Sequence, residues 1–97
     1  MKMKRIRVML KYAGVVYEIT GKASEEIEVD DKISLLDILR ILALKYGVRF
    51  KEEVFNYETG TPAPQILILL NGRLVQDYSI KVNDRDFISI IPVASGG

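Results

Sequence analysis

The sequence contains no cysteine and no histidine. These absences exclude disulfides, thiol catalysis, Cys/His zinc sites and iron–sulfur ligation, and they remove the commonest general base. Few chemistries are left for the body of such a protein. Asparagine and glutamine are also scarce, which is compatible with a heat-adapted source. No apolar run approaches the ~20 residues needed to span a bilayer. The basic start, Met1-Lys2-Met3-Lys4-Arg5-Ile6-Arg7, lacks the apolar core and small-residue cleavage site of a signal peptide. Charge is nearly balanced, with 14 basic and 13 acidic residues and a net charge of +1. Nothing therefore calls for nucleic acid or an acidic membrane as partner. The expectation is a soluble cytoplasmic protein with no nucleic-acid and no membrane partner.

The 97 residues suit one domain with one core, and an apolar share of 48% calls for a packed body rather than disorder. Residues 5–12 alternate: Ile6, Val8, Leu10 and Tyr12 point one way, and Arg5, Arg7, Met9 and Lys11 the other. That is a strand with one buried face. Gly14 marks a turn. Residues 15–19 form a second apolar stretch, and residues 26–29 alternate as Glu-Ile-Glu-Val. One of the two, with 26–29 favoured, pairs with the first strand as a hairpin. Ser34-Leu35-Leu36-Asp37 fits a capping box. Leu35, Ile38, Leu39, Leu42 and Tyr46 then recur at helical spacing, Lys45 sits in the last turn, and Gly47 fits a left-handed stop. This apolar stripe is read as core.

Residues 51–57 fit either a short helix or an ordered loop. Residues 58–64, rich in Gly and Pro, read as a solvated connection. Ile66-Leu67-Ile68-Leu69-Leu70 is apolar on both faces, so it lies centrally or is covered by a partner. Asn71-Gly72 is a type I′ hairpin signal, and Arg73-Leu74-Val75 returns as a short strand. Residues 76–81 cross the body, Asn83-Asp84-Arg85 turns, and residues 86–91 form the last strand. Ile88 and Ile90 lie on one of its faces, Phe87, Ser89 and Ile91 on the other. A helix crossing over after the first hairpin lets the last strand lie parallel to the first. The fold class is α+β, a mixed sheet packed on one main helix.

The sequence closes on Ile90-Ile91-Pro92-Val93-Ala94-Ser95-Gly96-Gly97. By themselves these residues fit a disordered stub as well as a functional tail. A Gly-Gly end has no side chains to obstruct a narrow channel, and residues 92–97 reach about 20 Å when extended. The division expected is a body over 1–91 and a flexible tail over 92–97.

A small mixed sheet grasping one helix, entered by a hairpin and left through Gly-Gly, resembles the ubiquitin-like β-grasp fold. Within it, the chain resembles the sulfur-carrier branch of MoaD and ThiS, most of all the small subunit of molybdopterin synthase. Asn71-Gly72-Arg73, Asn83-Asp84-Arg85-Asp86 and the last eight residues carry the likeness. The sequence departs from that subunit in four places. It has one proline where two are common, Ser95 before the glycines, Arg85-Asp86 where Gly-Asp is usual, and a longer middle segment over residues 48–65.

The resemblance implies a non-catalytic carrier that binds no cofactor and no metal. Its reactive terminus is Gly97, with Gly96 allowing close backbone approach. A terminal carboxylate, with a pKa of ~3.5, is ionised at neutral pH and is a poor electrophile. The implied remedy is adenylation by a ubiquitin-activating-type adenylyltransferase (MoeB/ThiF-like) that uses ATP. Sulfur then replaces AMP, leaving a thiocarboxylate for the molybdopterin synthase large subunit (MoaE-like). Ala94 and Ser95 are small enough for a channel, and Pro92 stiffens the exit. Met9, Leu74, Phe87 and Ile91 are candidates for an outer, partner-binding sheet face; the alternative is that residues 48–65 cover some of them as extra core. A ubiquitin-like protein modifier, a thiamin sulfur carrier and a β-grasp interaction module that is never activated are the other readings.

Overall fold

The computed structural model describes residues 4–93. The chain runs β1 (Arg5–Tyr12), α1 (Val15–Thr20), β2 (Ser24–Asp30), α2 (Leu35–Tyr46), α3 (Val48–Glu53), β3 (Phe55–Asn56), β4 (Thr61–Pro62), β5 (Ile66–Leu70), β6 (Arg73–Leu74) and β7 (Phe87–Pro92). The five-stranded sheet has the order β2-β1-β7-β5-β6, and β3 and β4 form a separate two-stranded piece. β1 and β2 are antiparallel, while β1 and β7 are parallel, with Leu10 opposite Ile88 and Tyr12 opposite Ile90. This is the β-grasp arrangement. The last strand sits in the middle of the sheet, so its course is fixed from both sides.

The alternation in β1 is realised in full. Ile6, Val8, Leu10 and Tyr12 are buried and the residues between them are exposed. α2 starts where the capping box places it. The Ser34 hydroxyl accepts from the Asp37 N–H at 3.1 Å, and the Asp37 carboxylate accepts from the Ser34 N–H at 3.2 Å. Its first turn is also tied to the crossing segment, with Leu35 N–H donating to the Ile80 carbonyl and Leu36 N–H to that of Tyr78. Leu35, Ile38, Leu39, Leu42 and Ala43 are buried against the inner sheet face. Asn71 and Gly72 both take positive φ, 52° and 83°, as a type I′ turn demands.

Several segments differ from the sequence expectations. Residues 15–19 belong to a helix, which leaves β2, the favoured stretch, as the hairpin partner of β1. Gly14 and Gly21 bracket that helix, and Val15, Val16, Ile19 and Thr20 share its inner side at helical spacing. Gly47 has φ 92° but ψ −166°, outside the left-handed helical region, because it also serves as the N-cap of α3. The 58–64 connection is not wholly solvated loop. Its Thr61–Pro62 pairs with Phe55–Asn56, and the Asn56 side chain accepts from the Glu58 N–H at 2.9 Å to close the turn. β7 extends through Pro92, which stands opposite Ile66.

Residues 48–65 add core on the helix side. Phe50, Val54 and Phe55 are fully buried, and α3 and β3 pack on α1 and α2. Phe55 meets the Tyr78 ring edge-on at 5.0 Å.

Candidate functional site

Strand register decides which side chains share the outer sheet face. Met9 and Phe87 are direct partners across β1 and β7. Ile91 stands opposite Leu67, Ser89 opposite Leu69, and Leu69 opposite Leu74. Met9, Phe87, Ile91 and Leu74 therefore lie on one face, opposite α2, as expected of the candidate set. Leu67 and Leu69 join them and were not singled out in the sequence. The unbroken 66–70 run was their signal: residues of both parities were apolar, so both faces of that strand had a use. Leu74 is 55% exposed and Met9 36%, and Leu67, Leu69, Phe87 and Ile91 are half-buried. The 48–65 segment directs Phe50, Val54 and Phe55 into the core on the other side of the sheet rather than over this stripe.

Charge borders the stripe. The Lys11 ammonium lies 4.8 Å from the Phe87 ring centroid. On the β1–β2 side, Arg5 pairs with Glu28 at 3.4 Å and Arg7 with Glu26 at 3.5 Å. These pairs are exposed and contribute little to stability.

Two of the three stretches that carry the resemblance meet at the start of β7. The Asn71 side chain accepts from the Phe87 N–H at 2.9 Å and donates to the Asp86 carboxylate at 3.0 Å. That carboxylate also accepts from the Asn83 N–H at 2.8 Å, and Asp84 accepts from the Arg7 N–H at 2.9 Å. The hairpin turn and the 83–86 turn are thus bolted together, which fixes where β7 begins. Arg85, at the position where the resemblance leads one to expect glycine, takes φ +68°.

The far end of β7 is held as firmly. Pro92 lies against Gly14, and the Val93 N–H donates to the Gln65 carbonyl at 2.6 Å. Ala94, Ser95, Gly96 and Gly97 lie outside the described residues.

One buried charge sits elsewhere. Glu25 faces inward beside Leu10, its side chain only 8% exposed. It accepts from the Tyr12 hydroxyl at 2.6 Å, from the Tyr46 hydroxyl, from Lys45 at 2.8 Å and from Lys22 at 3.3 Å. Burial alone would raise its pKa, but the bonds from Lys45, Tyr12, Tyr46 and Lys22 outweigh it and hold the carboxyl at about 2. Burial, and then the bond to Glu25, push the Tyr12 hydroxyl far above the ordinary tyrosine value. With every donor aimed at one carboxylate, this cluster clasps the end of α2 to the sheet. Among the described residues, no group of three acidic side chains gathers to hold a metal, and no helix is long and apolar enough to cross a membrane.

A family model described as the ThiS family matches residues 10–97. Among curated proteins, small archaeal modifier protein 3 of Haloferax volcanii is 29% identical over 91 residues, 91% of this chain and 96% of that protein. Among solved structures, the HVO 2177 protein of Haloferax volcanii superposes with a TM-score of 0.78 at 25% identity, covering 96% of this chain and 88% of the other. A putative molybdopterin converting factor subunit 1 from Pyrococcus furiosus superposes with a TM-score of 0.74 at 26% identity, over 92% of this chain and 99% of the other. The matched residues take in nearly all of the sheet, both bolted turns and the sequence beyond β7. This chain belongs to the ThiS family, a group of ubiquitin-like β-grasp sulfur carriers and modifiers.

Proposed function

We propose that this protein is a non-catalytic sulfur carrier like the small subunit of molybdopterin synthase, with Gly97 as its reacting carboxyl terminus. The observation that carries this reading is the family match running through Gly97, with the central strand β7 leading directly into those residues. The Gly97 carboxylate attacks the α-phosphorus of ATP in an activating enzyme, and pyrophosphate leaves. The resulting acyl-adenylate has an electrophilic carbonyl. A hydrosulfide displaces AMP and, on losing its proton, leaves a thiocarboxylate, which donates sulfur in molybdenum or tungsten cofactor biosynthesis.

The roles of the chain's own residues are few. Gly97 supplies the carbonyl, and Gly96, Ser95 and Ala94 pass a narrow channel. Pro92 sets the exit. The stripe of Met9, Leu67, Leu69, Leu74, Phe87 and Ile91 docks the activating adenylyltransferase (MoeB/ThiF-like) and the synthase large subunit (MoaE-like) in turn, so the two compete. Catalytic acids and bases belong to those partners, and the site of action is the cytoplasm.

A second reading is favoured by one finding: the curated relative is named a small archaeal modifier. Here the same adenylate ends as an amide on a lysine of another protein. Incubation with the activating enzyme, ATP and a sulfide source, followed by intact-mass spectrometry, separates the fates. Exchange of one oxygen for sulfur supports the carrier, and larger lysine-linked species support the modifier. Formation of neither product would contradict both.

A further inference from the structure

We propose that Gly14 and Gln65 are positioning residues that clamp Pro92 and Val93 and so aim the chain as it leaves the sheet. The inference rests on the reading that the residues beyond β7 react in a partner's active site. Its two jaws come from opposite neighbours of β7. On one side, Gly14 has φ 59° and ψ −130°, a backbone region open to glycine and costly for other residues. A Cβ built there would stand 2.6 Å from Pro92 Cγ and 3.1 Å from Cδ. The proline ring occupies the space that any other residue would need. On the other side, Gln65 takes φ +69°, an unusual conformation for a non-glycine residue. Its carbonyl accepts the Val93 N–H at 2.6 Å, one rung beyond the Ile66–Pro92 pair.

The two contacts rest on uncommon backbone conformations, one that glycine permits at Gly14 and one strained at Gln65. α1 begins at Gly14 and buries Val16 completely, so the first jaw is anchored in the core. The second is anchored by β5. Strain of this kind persists only where the surroundings over-determine it. By contrast Gly21, at the other end of α1, has φ 73° with nothing within 4 Å of a built Cβ. It shares the positive φ, in the left-handed helical region with ψ 11°, and lacks the contact, so it serves as a control for positive φ alone.

The test is pyrophosphate exchange by the activating enzyme, with each variant's folded fraction and affinity for that enzyme measured separately. Gly14→Ala is expected to lower kcat/KM roughly tenfold or more at unchanged affinity, because misaiming a reacting group is costly. Gly21→Ala should lose stability yet exchange normally. Gln65→Val, which resists positive φ, should behave like Gly14→Ala, whereas Gln65→Gly should exchange like wild type. Gln65→Val keeps the test open should Gly14→Ala fail to fold. Wild-type rates for folded Gly14→Ala or Gln65→Val overturn the clamp, as does an equal loss in Gly21→Ala. Should wild type itself show no exchange, the carrier reading falls and the clamp is judged by NMR on the free protein. A Gly14 Hα to Pro92 ring NOE with a rigid Val93 N–H upholds it, and an averaged Val93 signal overturns it.

Discussion

Arg85 shows how a single residue can be held against its own preference. Its backbone sits at positive φ because its N–H donates to the Arg7 carbonyl at 2.8 Å while Asp84 and Asp86 are pinned on either side. A side chain in this region costs about 1 kcal/mol or more relative to glycine. Arg85→Gly is therefore expected to raise stability by roughly 1 kcal/mol, less what the freer unfolded chain takes back. Denaturant unfolding would show the midpoint rising without a change in slope. Glu25 gives a pH-dependent counterpart. Its folded pKa of about 2 lies below the ordinary 4.5, so its contribution is full above about pH 4.5 and is lost as pH falls through 2. The shift corresponds to stability on the order of 3 kcal/mol. Glu25→Gln should lower neutral-pH stability by about that much and flatten the acid limb between those two pH values. An acid limb of unchanged steepness would mean that other carboxylates dominate it.

Among the elements, length and periodicity governed what could be read from the sequence. β1 and α2 were legible because each repeats its period several times and α2 carries both halves of a capping box. β7 was legible from Ile88 and Ile90, as was the hairpin turn from Asn71-Gly72. The α1 helix was not legible as a helix. Five apolar-rich residues fit either period, and only the two flanking glycines mark its ends. β3 and β4 have two residues each, too few for any alternation to show. The stripe was partly legible, since Met9, Phe87 and Ile91 follow from alternation. The apolar run showed that both faces of β5 are used, but which of its residues share a face with Phe87 needed the β5–β7 register. The Gly14–Pro92 contact joins opposite ends of the sequence and left no local mark. The α3–β3 segment also has a measurable consequence. If it is core, Phe55→Ala should cost about 3–5 kcal/mol, as fully buried aromatics do. A loss below about 1 kcal/mol would return the segment to the status of a surface connection.

At the scale of the whole molecule, the helix side supplies stability and the sheet side is left available. Everything large and fully buried lies between sheet and helices, while the outer face keeps an apolar stripe edged by Arg5, Arg7 and Lys11. Under the proposed function this contiguous apolar surface is the docking site. Phe87→Ser and Leu69→Ser, near the centre of the stripe, are expected to weaken binding to the activating enzyme at least tenfold. Their unfolding midpoints should move much less than that of Phe55→Ala. Calorimetric titration would register the difference, and wild-type affinity in both variants would place the docking surface elsewhere. The central claim, however, concerns the carbonyl of Gly97. The direct measurement is tandem mass spectrometry of the product formed with the activating enzyme, ATP and sulfide, run beside a chain lacking Gly97. The account predicts one oxygen-for-sulfur exchange mapped to Gly97 in the full chain and none in the shortened one. Sulfur mapped to any other residue, or equal modification of the shortened chain, would contradict it.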